Sequence, residues 1–214
     1  MKKLMRIFFI LICSLALAFA AVGAPKKNKK SHKSDTKKKH LVVAKGHGKG
    51  KPYKAQKFKL QTKARPRHIQ SVKFEQNRRL AGSESWAGPN YYVFRNYRPV
   101  WHERNWWNSH YDRIVFAYGG WYYWNAGWWY PAWGYAPNAF YAYDGPIYAY
   151  NDLPPDQIVA NVQSALQQQR YYRGAVDGLL GPLTRAAVAT YQRDHGLYVT
   201  SAIDQPTLES LGMT

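Results

Sequence analysis

Two histidines and two carboxylates lie close together near the middle of the chain, and their types could support metal chemistry. They are His102, Glu103, His110 and Asp112. Imidazole and carboxylate groups are ordinary zinc ligands, but this spacing matches no ligand motif that a helix or a strand would bring together. The only cysteine, Cys13, lies in an N-terminal apolar run. We therefore expect no metal site, no cofactor and no thiol nucleophile.

Groups for hydrolysis are scarce as well. After residue 80 the chain has only three glutamates, Glu84, Glu103 and Glu209, and no serine nucleophile stands in a glycine-framed motif. We predict no catalytic residues. The alternative is a small hydrolase whose catalytic part is residues 81–150, with His102, Glu103 and His110 as its chemical groups.

Aromatic residues form the second distinctive set. The stretch GGWYYWNAGWWYPAWGY, residues 119–135, holds nine aromatic residues in seventeen positions, and all nine tryptophans lie within 81–150. Gly, Asn and Pro interrupt the stretch too often for a membrane helix. An exposed indole suits the apolar face of a sugar ring, and the candidates for glycan stacking are Trp121, Trp124, Trp128 and Trp129. For any single ring, packing in a core is the alternative role.

Short strands are the elements that would position these rings. Residues 113–118 alternate and are rich in strand formers, and Asn125-Ala126-Gly127 is a tight turn between WYYW and WWY. These patterns predict a β-hairpin or three-stranded meander, and a short helix is expected near 103–110. Because two or three strands cannot bury so many rings alone, we expect the aromatic segment to pack on neighbouring helices.

Three helices are predicted after residue 153. Asp156 is a suitable N-cap for a helix of about 157–170, in which apolar residues recur at steps of three and four. Gly181-Pro182 begins the second helix and Gly196 ends it, and Asp204 caps a short third helix. The predicted fold class is therefore α+β, with a three-helix module, a small aromatic β-hairpin or meander segment, and a disordered basic tail before them.

The sequence VQSALQQQRYYRGAVDGLLGPLTRAAVATYQRDHGLYVTSAIDQPTLESL resembles the small three-helix peptidoglycan-binding domain that is appended to many cell-wall lytic enzymes. The resemblance covers residues 153–213. One departure is Ser201, where the family usually has Gly, and we expect a somewhat altered turn there. The matching positions are Leu166, Tyr172, Gly174, Val176, Asp177, Gly178, Gly181, Thr184, Ala187, Val188, Tyr191, Gln192, Gly196, Leu197, Ile203, Asp204, Thr207 and Leu211.

This resemblance implies a module that binds peptidoglycan and does no chemistry. Motif residues expected to be mainly structural, as turn glycines or core side chains, are Gly178, Gly181, Ala187, Tyr191 and Leu197. Polar residues around the loop and the second helix remain to meet the ligand, and the candidates are Asp177, Thr184, Arg185 and Gln192. For each of these four, a cap or turn hydrogen bond is the alternative role.

Residues 1–20 have the pattern of a secretory signal peptide. Lys2, Lys3 and Arg6 precede an apolar run, and Ala18-Phe19-Ala20 places small residues at the cleavage positions. An uncleaved anchor is the alternative. After cleavage we expect no stable membrane span and a secreted or periplasmic protein associated with the cell wall.

Positive charge is concentrated in residues 25–80, where 20 Lys and Arg stand against Asp35 and Glu75. Few large apolar residues accompany them, so residues 21–80 are predicted to be disordered. Export argues against nucleic acid as a partner. Anionic envelope polymers or lipid head groups are the expected partners of residues 25–80, and a solvated spacer is the alternative. For the whole chain, a structural or adhesive envelope protein remains a third hypothesis.

Overall fold

The computed structural model describes residues 52–60 and 69–213. The predicted signal peptide, residues 21–51 of the basic tail and residues 61–68 lie outside the described residues. All described residues belong to one compact unit. In this part of the chain, no helix is long and apolar enough to cross a membrane.

The alternating pattern after residue 113 forms the antiparallel meander that the sequence predicts. Its strands are β1 (Ile114–Ala117), β2 (Gly120–Asn125) and β3 (Trp128–Pro131), and a fourth strand, β4 (Ile147–Tyr148), completes a sheet of order β1-β2-β3-β4. Ala126 and Gly127 both have positive φ, 46° and 85°, as a type I′ hairpin turn requires. β4 has only two residues, too few for a recognisable alternation, and it was not predicted.

Two short helices precede the sheet. α1 spans Tyr92–Asn96 and α2 spans Arg104–His110, and α2 confirms the helix expected near 103–110. α1 was not predicted, because five residues are too few to show a helical repeat of apolar positions. Two single 3₁₀ turns, Ser83–Ser85 and Pro89–Tyr91, lead into it.

The three C-terminal helices are α3 (Pro155–Gln168), α4 (Pro182–Asp194) and α5 (Gln205–Ser210). Gly181 and Asp204 are the N-caps of α4 and α5 as predicted, and Asp204 accepts a hydrogen bond from the Thr207 backbone N–H at 2.9 Å. The predicted cap of α3 is wrong. Pro154 is its N-cap and Pro155 its first residue, because proline suits a first turn whose N–H groups lack partners in any case.

The sheet lies between two layers of side chains. On one face, Trp107 of α2 packs with Tyr123 and Ala132. On the other, Trp129 belongs to the main core together with the apolar faces of α3, α4 and α5, and its indole N–H donates to the Leu153 carbonyl at 3.0 Å. The aromatic segment and the helical module therefore share one core, as the expected packing on neighbouring helices requires.

Part of the predicted disordered tail is placed against this core. Tyr53, Val72 and Phe74 pack on it, and the Phe74 ring lies 5.4 Å from that of Trp101 and 5.5 Å from that of Trp133. Described residues on the N-terminal side of residue 81 therefore belong to the same packed body. Composition does not indicate this packing, because the few apolar residues that dock the segment are widely spaced among polar and basic residues.

Candidate functional site

The loop between α3 and α4 is organised by one buried glutamine, Gln163. Its side chain is 0% exposed, and its Oε1 accepts from the backbone N–H groups of Asp177 and Gly178 at 3.0 and 2.8 Å. Its Nε2 donates to Asp177 Oδ1 at 2.7 Å and to Thr184 Oγ1 at 2.9 Å. The residue was not singled out from the sequence, although its place beside the apolar stripe of α3 is the signal that could have found it.

Gln192 has the equivalent role in the loop between α4 and α5. It is also 0% exposed; its Oε1 accepts from the Ser201 N–H at 2.9 Å, and its Nε2 donates to Thr200 Oγ1 at 2.7 Å. Asp204 adds a hydrogen bond from Thr200 Oγ1 at 2.6 Å. Burial raises the pKa of Asp204 above its ordinary value, against the opposing effect of its hydrogen bonds to Thr200 and Thr207. Both loops are therefore fixed by interior polar networks.

Two of the four residues predicted to contact peptidoglycan have side chains that are partly exposed to solvent, and the other two are buried. Thr184 and Gln192 are 1% and 0% exposed, and the networks above use their polar groups. Asp177 and Arg185 are half-buried, and the Arg185 guanidinium lies 5.2 Å from the centre of the Tyr143 ring. Thr184 and Gln192 thus shape the loops, while Asp177 and Arg185 keep part of their surface exposed, although Asp177 Oδ1 also accepts from Gln163 Nε2 and the Leu179 N–H.

Motif residues expected to be structural have positions that fit that expectation. Gly178 has φ 78°, and a Cβ there would lie 2.6 Å from the Asp156 carbonyl oxygen. A Cβ on Gly181 would lie 2.8 Å from Ile69 Cδ1. Ala187 and Tyr191 are buried and Leu197 is half-buried. These residues therefore build the loops and the core.

Ser201, the departure from the family pattern, has φ 55°. This left-handed conformation is the one that glycine adopts at least cost. The Ser201 N–H still donates to Gln192 Oε1 at 2.9 Å, so its backbone remains part of the loop network. The turn keeps the conformation that suits the family's glycine, at the expense of backbone strain in serine.

We expect Ser201→Gly to raise the free energy of unfolding by about 0.5–1 kcal/mol, because it relieves a left-handed non-glycine residue. Urea denaturation followed by circular dichroism measures the change. Gly178→Ala is the matched control in the other loop and should destabilise by more than about 1 kcal/mol, since it adds both strain and a clash. A Ser201→Gly protein less stable than the parent would contradict the strain argument.

The four candidate stacking tryptophans divide into two pairs. Trp128 and Trp129 are 6% and 0% exposed, so neither has a free ring face for a sugar. Trp124, the cross-strand partner of Trp129, is 38% exposed, and Trp121 is half-buried. Only Trp121 and Trp124 therefore remain in positions that allow glycan stacking.

Trp121 lies within an aromatic surface that includes a cation. Its ring centroid is 5.4 Å from that of Phe116, which is 40% exposed, and 4.6 Å from that of Tyr135. The Arg104 guanidinium lies 5.0 Å from the Tyr135 ring centre and 6.0 Å from that of Trp121. Apolar ring faces beside a hydrogen-bond donor are suited to a saccharide.

The two histidines of the hydrolase hypothesis flank α2, with His102 before its first residue and His110 at its last residue, and both stack on another ring. Both rings stack on the Trp106 ring, and the centroids of His102 and His110 lie 3.5 and 3.9 Å from that of Trp106. Glu103 is exposed and precedes α2 as its N-cap. Among the described residues, no group of three or more His, Cys, Asp or Glu side chains could hold a metal ion.

These features define a helical module with two glutamine-organised loops, joined through a common core to an aromatic sheet. Residues 155–211 match the family model of a peptidoglycan binding domain. The match agrees with the resemblance predicted for residues 153–213 and covers α3, α4 and α5. It supports peptidoglycan as a partner of this module.

One relative matches over the same module. A 51-residue stretch is 45% identical to the "Localization factor PodJL" of Caulobacter vibrioides, in strain NA1000 / CB15N and in strain ATCC 19089 / CIP 103742 / CB 15. The aligned stretch is 24% of this chain and 5% of the length of that protein. No solved structure matches the chain.

Proposed function

We propose that the protein is a secreted, non-catalytic envelope protein that binds peptidoglycan through residues 155–211. The observation that carries the proposal is the family match over three helices whose loop networks are complete. The similarity to part of a localisation factor also favours a role in attachment over chemistry.

The proposed contact surface is the loop between α3 and α4 together with the start of α4. Asp177 and Arg185 are its ligand-facing residues. They offer a carboxylate and a guanidinium to a wall polymer that carries both amino and carboxyl groups. Gln163, Thr184 and Gln192 hold the loops in place from inside. Trp121 and Trp124 form a proposed second contact, in which a glycan ring stacks on an exposed indole.

The basic segment before the body supplies a further proposed contact. Residues 25–51 lie outside the described residues and carry most of the charge of the predicted tail. An anionic wall polymer or lipid surface would attract these lysines, and salt would screen the attraction.

Incubation with purified peptidoglycan sacculi, followed by centrifugation, tests the proposal. The protein should pellet with sacculi and release no soluble muropeptides. A form without residues 25–51 should still pellet, with a smaller dependence on salt concentration. Muropeptide release that disappears in a His102→Ala, Glu103→Ala, His110→Ala variant would establish the hydrolase instead. Pelleting of the protein alone would indicate a self-associating, adhesive protein.

A further inference from the structure

Residues 52–60, here called the strap, lie along α3 and are held by two side-chain amides. The Gln56 N–H donates to Asn161 Oδ1 at 2.8 Å, and Asn161 Nδ2 donates back to the Gln56 carbonyl at 3.0 Å. Gln157 makes the same pair of bonds with the N–H and carbonyl of Phe58, at 2.9 and 3.0 Å. All four bonds reach the strap through its backbone, so they do not depend on the side chains of the strap.

The spacing of the amides explains why the strap is extended. Gln157 and Asn161 are four residues apart on α3, a rise of about 6 Å. Alternate residues of an extended chain are about 6.7 Å apart. Because the later helix residue binds the earlier strap residue, the strap runs antiparallel to α3.

The outer edge of the strap is engaged at Tyr53, whose N–H donates to the Gly212 carbonyl at 2.9 Å, and is open beyond it as far as the structure describes the chain. In an extended chain, neighbouring residues direct their N–H and C=O groups to opposite sides, so those of Ala55, Lys57 and Lys59 face away from α3. Within residues 52–60 and 69–213, no hydrogen bond engages the backbone of these three residues. The strap therefore has one edge paired with α3 and, over residues 55–59, an outer edge on which the described residues place no hydrogen-bond partner.

The lysines of the strap indicate which kind of peptide its outer edge would bind. Lys54, Lys57 and Lys59 are exposed, and none of them forms an ion pair with a carboxylate of the described chain. Lysines on an open edge oppose pairing with a second copy of the same strand. They favour a peptide that carries carboxylates beside its backbone amides.

A polar cavity lies at the N-terminal end of the strap. It has a volume of about 270 Å³, and its lining includes Lys54 and Gln56 of the strap and Gln168 and Gln169 at the end of α3. An ammonium group and amide N–H groups are suitable donors for a carboxylate.

We propose that the outer edge of the strap binds the stem peptide of peptidoglycan by strand addition. Stem peptides are short and carry free carboxylates beside their backbone amides, which matches an open backbone edge flanked by lysines. This inference rests on the proposed function and extends it, because it names the peptide and not the glycan as the part of the wall that this edge contacts.

Titration of the purified protein with a synthetic stem tripeptide, followed by amide NMR, tests the proposal. Ala55→Pro and Lys57→Pro each remove one outward N–H and leave the bonds of Gln56 and Phe58 to α3 in place. Each proline should weaken tripeptide binding about fivefold relative to Ala55→Ser or Lys57→Gln, the value for one lost hydrogen bond. The side-chain amide signals of Gln157 and Asn161 report whether the strap remains seated.

A second variant tests the proposal without proline, in case a proline displaces the strap from α3. The double substitution Gln157→Ala and Asn161→Ala removes the two side-chain amides that hold the strap on α3. It should abolish tripeptide binding while circular dichroism shows that the helices are intact. Unchanged binding in this variant would overturn the proposal. Equal weakening by Lys57→Gln and Lys57→Pro, with no effect of Ala55→Pro, would also overturn it in favour of charge attraction alone.

A different result is expected if the protein binds the glycan of the wall and not its stem peptide. If glycan strands stripped of peptide bind as well as sacculi do, and the tripeptide does not bind, then this edge is not a peptide site although the proposed function stands. If the parent protein fails to pellet with sacculi at all, the proposed function fails. The two failures are therefore distinguishable.

Discussion

Gln163→Ala is expected to lower the free energy of unfolding by about 3–5 kcal/mol, because it leaves several buried polar groups without partners. The backbone N–H groups of Asp177 and Gly178 would lose their acceptor, and Thr184 Oγ1 would lose a donor. This is a large share of the about 5–15 kcal/mol that stabilises a typical protein. Urea denaturation with circular dichroism gives the change directly.

Gln168→Ala is the matched control for this prediction. Gln168 is the same residue type on the same helix but is exposed, so its replacement should change stability by less than about 0.5 kcal/mol. A similar effect of both substitutions would show that helix propensity, and not the buried network, explains the loss. Sacculus binding should fall in Gln163→Ala only to the extent that the loop unfolds.

Trp129→Ala is expected to destabilise the protein by about 3–5 kcal/mol through the cavity left in the core. Trp129 is fully buried between the sheet and the helical module, and its indole N–H is hydrogen-bonded to the Leu153 carbonyl. Because sheet and module share this core, tryptophan fluorescence and helical circular dichroism should lose their signals in one common transition. Two separate transitions would contradict the shared core.

Trp124→Ala provides the comparison within the same strand pair. Trp124 lies opposite Trp129 in the sheet and is 38% exposed, so its loss should cost less than about 1 kcal/mol. If its ring stacks on glycan, sacculus binding should weaken in Trp124→Ala without a change in stability. A destabilisation as large as that of Trp129→Ala would show that the ring is part of the core.

Local signals in the sequence determined much of the fold. Gly181-Pro182, Asp204 and the Ala126-Gly127 turn act through backbone dihedral angles and caps that depend on a few neighbouring residues. The three helices and the meander could therefore be predicted from local signals, whereas the peptidoglycan-binding module was identified by its resemblance to a known family. Spacing also indicated which glycines are structural, because a turn of fixed geometry tolerates few alternatives.

Tertiary structure alone decided which side chains are buried and what they contact. Trp124 and Trp129 look alike in sequence, yet one is at the surface and one is in the core, because strand pairing and helix packing come from distant residues. The strap is the clearest case. Its backbone is held by Gln157 and Asn161, about a hundred positions later in the chain, and local composition carries no sign of that contact.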